Sequence, residues 1–214
     1  MGRGPMTGRI IETLEDVEEG AAALAQMCPR LAHAYRLTGP LPLRRKPDGF
    51  AQLLNAIVGQ QVSIASASAI WARVEQAGLT DITRVQQASD DDLRAAGLSR
   101  PKVKYFKALA DAGVDFDALR RAPSDEVVTT LVKIPGIGFW TAEVYVMFSL
   151  GRADVFAPGD LALQEAAKVL YDLPERPKER DLRQMAEAWS PWRSVAARIL
   201  WAYYRVIKNR EGIR

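Results

Sequence analysis

Apolar residues recur at helical spacing along almost the whole chain, and this feature most limits what the chain can fold into. From Phe50 onward, the apolar residues Leu53, Leu54, Ile57 and Val58 follow the i, i+3, i+4, i+7 pattern of one helix face. The same spacing continues in segments up to residue 207, and no stretch keeps the alternation typical of a half-buried strand. We therefore predict an all-α fold of about ten short helices.

Composition and charge narrow the class of protein further. A length of 214 residues with 48% hydrophobic residues suits one compact protein of one or two closely packed domains. The net charge is only +3, but residues 94–107 contain five Lys or Arg residues and no acid. Such segregation favours a polyanionic partner such as nucleic acid, and solvated basic helices are the alternative.

Two scarce residue types exclude whole classes of site. Cys28 is the single cysteine, so an intramolecular disulfide and a four-cysteine iron–sulfur or zinc site are excluded. His33 is the single histidine, which excludes His-based metal sites and Ser/His triads. No signal-peptide pattern is present, and no run approaches the ~18 apolar residues of a membrane span. We therefore expect a cytoplasmic protein without a membrane partner.

The segment LVKIPGIGFWTA, residues 131–142, carries the most specific signal. One helix stops at Pro135, Gly136 and Gly138 allow a tight turn, and the next helix begins at once. The free N–H groups and positive dipole end of that helix form a phosphate site that needs no base contact. The alternative is an ordinary helical hairpin with a glycine turn.

Three separated motifs extend this signal over residues 50–204. The hairpin string is followed by Asp160 in VFAPGDLAL, which resembles the helix-hairpin-helix DNA glycosylase superfamily. Trp140, together with IVGQQVSIASA and WSPWRSVAARILW, is similar to the DNA-3-methyladenine glycosylase II type of that superfamily. The chain is too short for the additional N-terminal β-domain of the familiar bacterial form, so it resembles the compact, purely helical version.

The resemblance implies a function and an architecture. It implies a monomeric enzyme that removes alkylated purines from damaged double-stranded DNA in base excision repair, in the bacterial cytosol at the nucleoid. It also implies one helical subdomain over 47–153 and a second over 1–46 plus 154–214, with an active-site cleft between them. Two alternatives stay open. One is a glycosylase of this fold for oxidised or deaminated bases, and the other is a non-enzymatic helix-hairpin-helix DNA-binding module.

The resemblance places the catalytic carboxylate at Asp160. Cleavage of an N-glycosidic bond leaves positive charge on the sugar, which a fixed carboxylate stabilises while it orients the attacking water. The alternative role of Asp160 is to cap the helix that follows, and the two roles are compatible. Asp154 is the rival acid, and we interpret it as a structural residue. Trp140 stands where bifunctional relatives carry a Schiff-base lysine, so we expect no strand cleavage.

Aromatic residues and one glutamine complete the predicted base site. Trp140 and Trp201 match positions that line the base pocket of the resembled family, and core packing is their alternative role. An indole face attracts a cationic alkylated purine by roughly 1–2 kcal/mol. Val144 replaces a tyrosine of a familiar member, which implies a roomier or differently selective pocket. Gln61 matches the wedge that fills the gap left by the extruded nucleotide, and a solvated helix-terminal glutamine is the alternative.

The remaining predicted sites bind DNA or a cation. Two loops, GLSRPK and WSPWRS, are expected to contact DNA, although solvated basic residues are common on any surface. The resemblance further implies Na⁺, K⁺ or Mg²⁺ held by hairpin carbonyls, which would help to bind phosphate and perform no chemistry. The predicted DNA contacts besides Gln61 are Ser99, Arg100, Lys102, Pro135, Gly136, Ile137, Gly138, Thr141 and Arg193. The predicted cation ligands are the carbonyls of Val132, Ile134 and Ile137.

Overall fold

A computed structural model describes residues 8–210 and confirms the all-α prediction. Within these residues there are thirteen α-helices and one 3-10 helix, and the extended pairing is confined to an isolated bridge between Ile10 and Arg152. The helices are α1 Leu14–Met27, α2 Pro29–Thr38, α3 Phe50–Val58, α4 Ile64–Gln76, α5 Ile82–Gln87, α6 Asp90–Ala95, α7 Arg100–Asp111, α8 Phe116–Arg121, α9 Ser124–Leu131, α10 Phe139–Phe148, α11 Leu161–Leu170, α12 Glu179–Ala186 and α13 Arg193–Arg210, with the 3-10 helix Glu187–Trp189 before α13. Residues 1–7 and 211–214 of the second predicted subdomain lie outside the described residues.

The predicted number of helices was too low because short and acidic helices escaped notice. Residues 15–19, four of which are acidic, belong to α1, which begins with a capping box between Thr13 and Asp16. Its buried face is Val17, Ala21 and Leu24, at helical spacing. The helices α2, α5 and α8 were also not predicted, and α5 and α8 have only six residues each. Such short helices offer too few repeats for a periodicity argument.

The chain divides into two compact units, Met1–Arg45 with Val146–Arg214 as unit 1, and Lys46–Tyr145 as unit 2. The sequence-based division placed residues 146–153 with the central bundle, and their contacts place them in unit 1. The chain passes from unit 1 to unit 2 after Arg45 and returns to unit 1 after Tyr145, which lies inside α10.

Unit 1 is built around α13, against which α1, α2 and α11 pack. Fully buried side chains on these helices form its core, and burying each contributes about 1.5–3 kcal/mol. They include Leu24, Leu31, Leu163, Val195 and Ile199.

Unit 2 is built around α7, against which α3, α5 and α6 pack. Its fully buried residues include Leu53, Leu54, Ile57, Leu93 and Phe106. The predicted DNA contacts Ser99 and Arg100 lie where α7 begins, so the central helix of unit 2 starts at a predicted DNA-binding loop.

None of the helices in residues 8–210 combines the length and the apolar character that crossing a bilayer requires.

Candidate functional site

In unit 1, Asp160 caps α11. Its backbone is extended, and its carboxylate oxygen Oδ1 accepts hydrogen bonds from the amides of Ala162 at 2.9 Å and Leu163 at 3.1 Å. The side chain is half-buried. The helix start that the sequence predicted is therefore correct, and the capping bonds hold the carboxylate in a fixed orientation. The catalytic role of Asp160 stays a prediction.

The loop before Asp160 is fastened to the helix that follows. The Asp160 amide donates to the Ala157 carbonyl at 3.1 Å. The buried side-chain amide of Gln164 donates to the Pro158 carbonyl at 2.8 Å. Gln164 was not predicted, although it is a polar residue on the otherwise apolar inner face of α11. Its bond restricts the backbone that presents Asp160.

The rival acid Asp154 is committed to partners within unit 1. Its Oδ1 accepts from Arg193 Nε at 2.6 Å, and its Oδ2 accepts from the Ser190 hydroxyl at 2.8 Å. Burial raises the pKa of Asp154, but the hydrogen bonds from Arg193 and Ser190 outweigh burial and hold it below its ordinary value. This arrangement fits the interpretation of Asp154 as a structural residue. The DNA contact of Arg193 stays a prediction, and in the structure its guanidinium has Asp154 as a partner.

Trp201 lies in α13 with a cation beside its ring. The half-buried indole packs against Phe148 with ring centroids 5.7 Å apart, and the guanidinium of Arg44 lies 5.6 Å from the Trp201 ring centroid. Burial, and then the charge of Arg205, lower the pKa of Arg44. Within residues 8–210, no carboxylate forms an ion pair with Arg44. A cationic base stacked on Trp201 would therefore meet a like charge, which is contributed by a residue 157 positions earlier in the chain and was not predicted.

In unit 2, the hairpin turn runs from 132 to 138 between α9 and α10. Two backbone hydrogen bonds close the turn. The Ile134 amide donates to the Leu131 carbonyl and the Ile137 amide donates to the Ile134 carbonyl, both at 3.0 Å. Pro135 and Gly138 are exposed, whereas Ile137 is buried. The predicted helix–turn–helix is confirmed, and its tip is accessible.

The two glycines of the turn have different structural reasons. Gly136 has a φ of +92°, and a Cβ at this position would lie 2.4 Å from Cγ of Tyr105 on α7. Gly138 has no atom within 4 Å of such a Cβ and no positive φ. Backbone conformation and close packing thus require glycine at 136, while the space around Gly138 is open.

The first turn of α10 presents aromatic residues outward. Trp140 is 46% exposed and Phe139 is 54% exposed. Thr141, predicted to contact DNA, is buried, so its side chain does not lie on the surface predicted for it. The exposure of Trp140 argues against core packing as its only role. A half-exposed indole at the tip of a hairpin suits stacking on a base, and this role stays a prediction.

Gln61 lies in the turn between α3 and α4, as the sequence predicted. It is exposed and has a φ of +56°, in the left-handed region that non-glycine residues seldom adopt. The ammonium of Lys102 donates to the Val58 carbonyl at 2.7 Å and to the Gln60 carbonyl at 2.9 Å. The side-chain amide of Gln60 donates to the Gly136 carbonyl of the hairpin at 2.9 Å.

Lys102 therefore occupies a different place from the DNA surface predicted for it. The side chain is 9% exposed, and burial lowers the pKa of its amine. Its donors are directed at two carbonyls of the preceding turn. This role was not predictable from residue spacing, because the partners of Lys102 lie more than forty positions earlier in the chain.

Ser99 and Arg100 lie at the start of α7 and are exposed. The Ser99 hydroxyl makes no capping bond, although its carbonyl accepts from the Val103 amide at 3.0 Å. The first-turn amides of α7 therefore have no side-chain cap, which fits the predicted phosphate contact.

The predicted cation ligands all belong to the hairpin turn. The Ile134 carbonyl already accepts the Ile137 amide, which uses one of its two acceptor positions. In the described part of the chain, no cluster of three or more His, Cys, Asp or Glu residues is placed to hold a metal. The predicted cation ligands at Val132, Ile134 and Ile137 are neutral backbone carbonyls. They fit Na⁺ or K⁺ better than Mg²⁺, which usually takes carboxylates.

Comparison with known proteins extends these observations over the whole chain. Residues 54–192 match the family described as HhH-GPD superfamily base excision DNA repair protein. DNA-3-methyladenine glycosylase 1 of Schizosaccharomyces pombe is 27% identical over 214 residues, covering 96% of this chain and 94% of that protein. A crystal structure of DNA-3-methyladenine glycosidase from Bacillus halodurans has a TM-score of 0.79 and 34% identity, with 94% of each chain covered. A Schizosaccharomyces pombe 3-methyladenine DNA glycosylase in complex with abasic DNA has a TM-score of 0.71 and 26% identity, covering 87% of this chain and 95% of that one.

Proposed function

Because the chain belongs to the HhH-GPD superfamily of base excision DNA repair proteins, we propose that it is a monomeric DNA glycosylase that releases alkylated purines from double-stranded DNA. The 3-methyladenine class of lesion follows from the relatives that carry this name over nearly their whole length. The observation that carries the proposal is Asp160, a carboxylate held in orientation by the amides of α11.

Asp160 stabilises the charge that develops on the sugar. As the bond between the base and the sugar C1′ breaks, positive charge grows on the sugar and the bonding electrons leave with the base. Water adds to C1′ and gives up a proton, which Asp160 accepts and passes to solvent. A purine that is cationic through alkylation leaves as a neutral base. Fixing the carboxylate beforehand avoids reorganisation during the reaction.

Hydrolysis without strand cleavage follows from the residue at position 140. A lyase needs an amine nucleophile that forms a Schiff base with the sugar, and Trp140 cannot supply one. The product is an intact strand with an abasic site. Trp140, exposed on the first turn of α10, supplies a stacking surface instead.

The hairpin and the Gln61 turn bind the DNA. The backbone amides of Gly136 and Gly138, and those at the start of α10, take up a phosphate independently of sequence. A monovalent cation on the carbonyls of Val132, Ile134 and Ile137 would add positive charge next to that phosphate. Gln61 fills the gap left by the extruded nucleotide, and its amide pairs with the orphaned base. We further propose that the protein acts at the nucleoid, in the cytosol of a bacterial cell.

The test is base release from duplex DNA that carries methylated purines. Purified wild-type protein and Asp160→Asn are incubated with the duplex, and free bases are quantified by chromatography before and after alkali treatment of the DNA. We expect 3-methyladenine from the wild type, strand breaks only after alkali, and a great reduction in the variant. Tight DNA binding without release would instead indicate a DNA-binding module. Equal release by both proteins would remove Asp160 as the catalyst.

One observation favours a second substrate class within the same chemistry. Arg44 lies beside the Trp201 ring, so a neutral base stacks there without meeting a like charge. Deaminated purines such as hypoxanthine are neutral. Duplexes with hypoxanthine, assayed in parallel, decide whether neutral bases are released faster than cationic ones.

A further inference from the structure

One helix of unit 2 holds both loops to which the proposed function assigns DNA contacts. Lys102 and Tyr105 lie three residues apart on α7 and so share one face of the helix. Lys102 reaches the Gln61 turn through two carbonyls, at 2.7 and 2.9 Å. The Tyr105 ring packs so closely on Gly136 that a Cβ there would lie 2.4 Å from it.

The two loops are also joined to each other. The side-chain amide of Gln60 donates to the Gly136 carbonyl at 2.9 Å. Gln60 directly precedes Gln61, and its own carbonyl accepts from Lys102. Lys102 and the Gly136 carbonyl are therefore linked through Gln60, whose backbone carbonyl accepts from the lysine and whose side-chain amide donates to the hairpin. We call this link, made of Lys102, Gln60 and the Gly136 carbonyl, the turn clamp.

The turn clamp holds a backbone conformation that is unfavourable by itself. Gln61 has a φ of +56°, and a non-glycine residue stays there only where its surroundings determine the conformation. Its own side chain is exposed, so the constraint comes from its neighbours. The Ser63 hydroxyl, which accepts from the Ser66 amide at 3.1 Å, fastens the other end of the turn.

The buried ammonium indicates what the turn clamp is for. Removing an ammonium from water is costly unless hydrogen bonds offset the loss. Lys102 is 9% exposed, and two of its three ammonium donors reach carbonyls of the Gln61 turn. An apolar residue would fill the same space at lower cost, so the directional bonds to the Gln61 turn are the distinctive contribution of lysine.

We propose that Lys102 and Gln60 are positioning residues that fix Gln61 relative to the hairpin, so that Gln61 enters the DNA at the correct distance from the phosphate that the hairpin binds. This inference rests on the proposed function, because it needs Gln61 to act as the wedge. It assigns Lys102 a role away from the DNA surface. It also separates Lys102 from Lys104, the exposed lysine of the same helix.

The experiment compares two DNA substrates under single-turnover conditions. In one, the lesion lies opposite a normal base in an intact duplex; in the other, it lies opposite an abasic position, where no partner base is left for a wedge to replace. The variants are Lys102→Met, Gln60→Met, Gln61→Ala and the double variant Lys102→Met with Gln61→Ala. Lys104→Met is the matched control, because Lys104 is an exposed lysine on the same helix and the variant loses the same charge.

The expected signature is a rate loss confined to the intact duplex. Lys102→Met slows base release there about tenfold, since a displacement of about 1 Å is enough for losses of this order or more. Gln60→Met slows it less, release opposite the abasic position changes less than about twofold, and Lys104→Met keeps the wild-type ratio of the two rates. The double variant is no slower than Gln61→Ala, because Lys102 acts through Gln61.

Several results would overturn the inference. Equal slowing of both substrates by Lys102→Met would show a structural role alone, as would rate losses that multiply in the double variant. Unchanged rates in both clamp variants would remove the role altogether. Gln60→Met, at a half-buried turn residue, keeps the test valid if Lys102→Met fails to fold. Absence of base release by wild-type protein on both substrates would instead refute the proposed function itself.

Discussion

The cap of α11 in unit 1 and the Gln61 turn in unit 2 are both fixed by hydrogen bonds, but over very different distances in sequence. Asp160 is held by amides two and three positions away, and Gln164 holds Pro158 from six positions away. The Gln61 turn is held by Lys102 across 42 and 44 positions, and Gln60 reaches the hairpin across 76. The first arrangement is local, and the second depends on the packing of α7.

This difference teaches which parts tolerate change. A local cap forms wherever the helix forms, so its residue can be exchanged for another cap without disturbing the fold. A long-range bond requires two elements to be packed already, so a disturbance of either one reaches both loops. A substitution that keeps the local cap should therefore reduce activity with little loss of stability. A substitution in the long-range contacts should reduce both.

The largest expected effect is at Asp160. Asp160→Asn should reduce single-turnover base release by about 10²–10³-fold or more, because the negative charge opposite the sugar is lost. Its stability should stay near wild type, since asparagine caps helices as well as aspartate does. Asp160→Ala should lose the same activity and, in addition, about 1 kcal/mol in the free energy of unfolding. Urea denaturation of both variants, next to the kinetics, checks this; an Asn variant as unstable as the Ala variant would contradict a local cap.

The next effect distinguishes the two hairpin glycines. Gly136→Ala should lower the free energy of unfolding by about 1–3 kcal/mol, because its φ is positive and its Cβ would meet Tyr105. Affinity for undamaged duplex should fall as well, since the hairpin turn that binds the phosphate is distorted. Gly138→Ala is the control for stability alone, because the space around its Cβ is open but its amide belongs to the proposed phosphate site. Chemical denaturation and DNA titration measure the two quantities for Gly136→Ala, and an equal loss of stability in the two variants would show that packing on α7 is not the cause.

A smaller effect concerns base charge at Trp201. Arg44→Met should raise the release of cationic 3-methyladenine relative to neutral hypoxanthine by about two- to fivefold. The variant leaves the Trp201 ring free for a cationic base, and the attraction between a cation and an indole face is roughly 0.5–1 kcal/mol. Arg36→Met, which removes an exposed arginine of unit 1, should leave the ratio unchanged. Competition assays with both lesions measure the ratio, and a fall in it would mean that Arg44 assists cationic bases.

The smallest effect sharpens the local side of the comparison. Hydrogen bonds from the Glu12 amide, the Arg9 side chain and the Thr13 amide lower the pKa of Asp16 to about 2. A lowered pKa in the folded state adds stability above the ordinary carboxyl pKa of about 3.9 and loses it as pH falls towards 2. Asp16→Asn should therefore cost about 1 kcal/mol or less at pH 7 and almost nothing near pH 2. Unfolding at both pH values tests this, with base release at pH 7 unchanged.

How far prediction reached is clearest from individual residues. Helical periodicity predicted α3, α7 and α10, and the Gly-containing string predicted the hairpin, because each signal lies within a short segment. Asp160 was placed correctly at a helix start because capping depends on residues two and three positions on. Lys102 was assigned to a DNA surface because exposed and buried lysines look alike in a sequence.

The sequence by itself determined the all-α class, the hairpin and the cap at Asp160, since these follow from the backbone geometry of neighbouring residues. The tertiary structure alone decided that Lys102 is buried against the Gln61 turn, that Tyr105 requires glycine at 136, and that Arg44 lies beside Trp201. The physical reason is that each of these contacts joins segments that packing brings together, and its energy depends on burial and on distances that spacing along the chain does not encode.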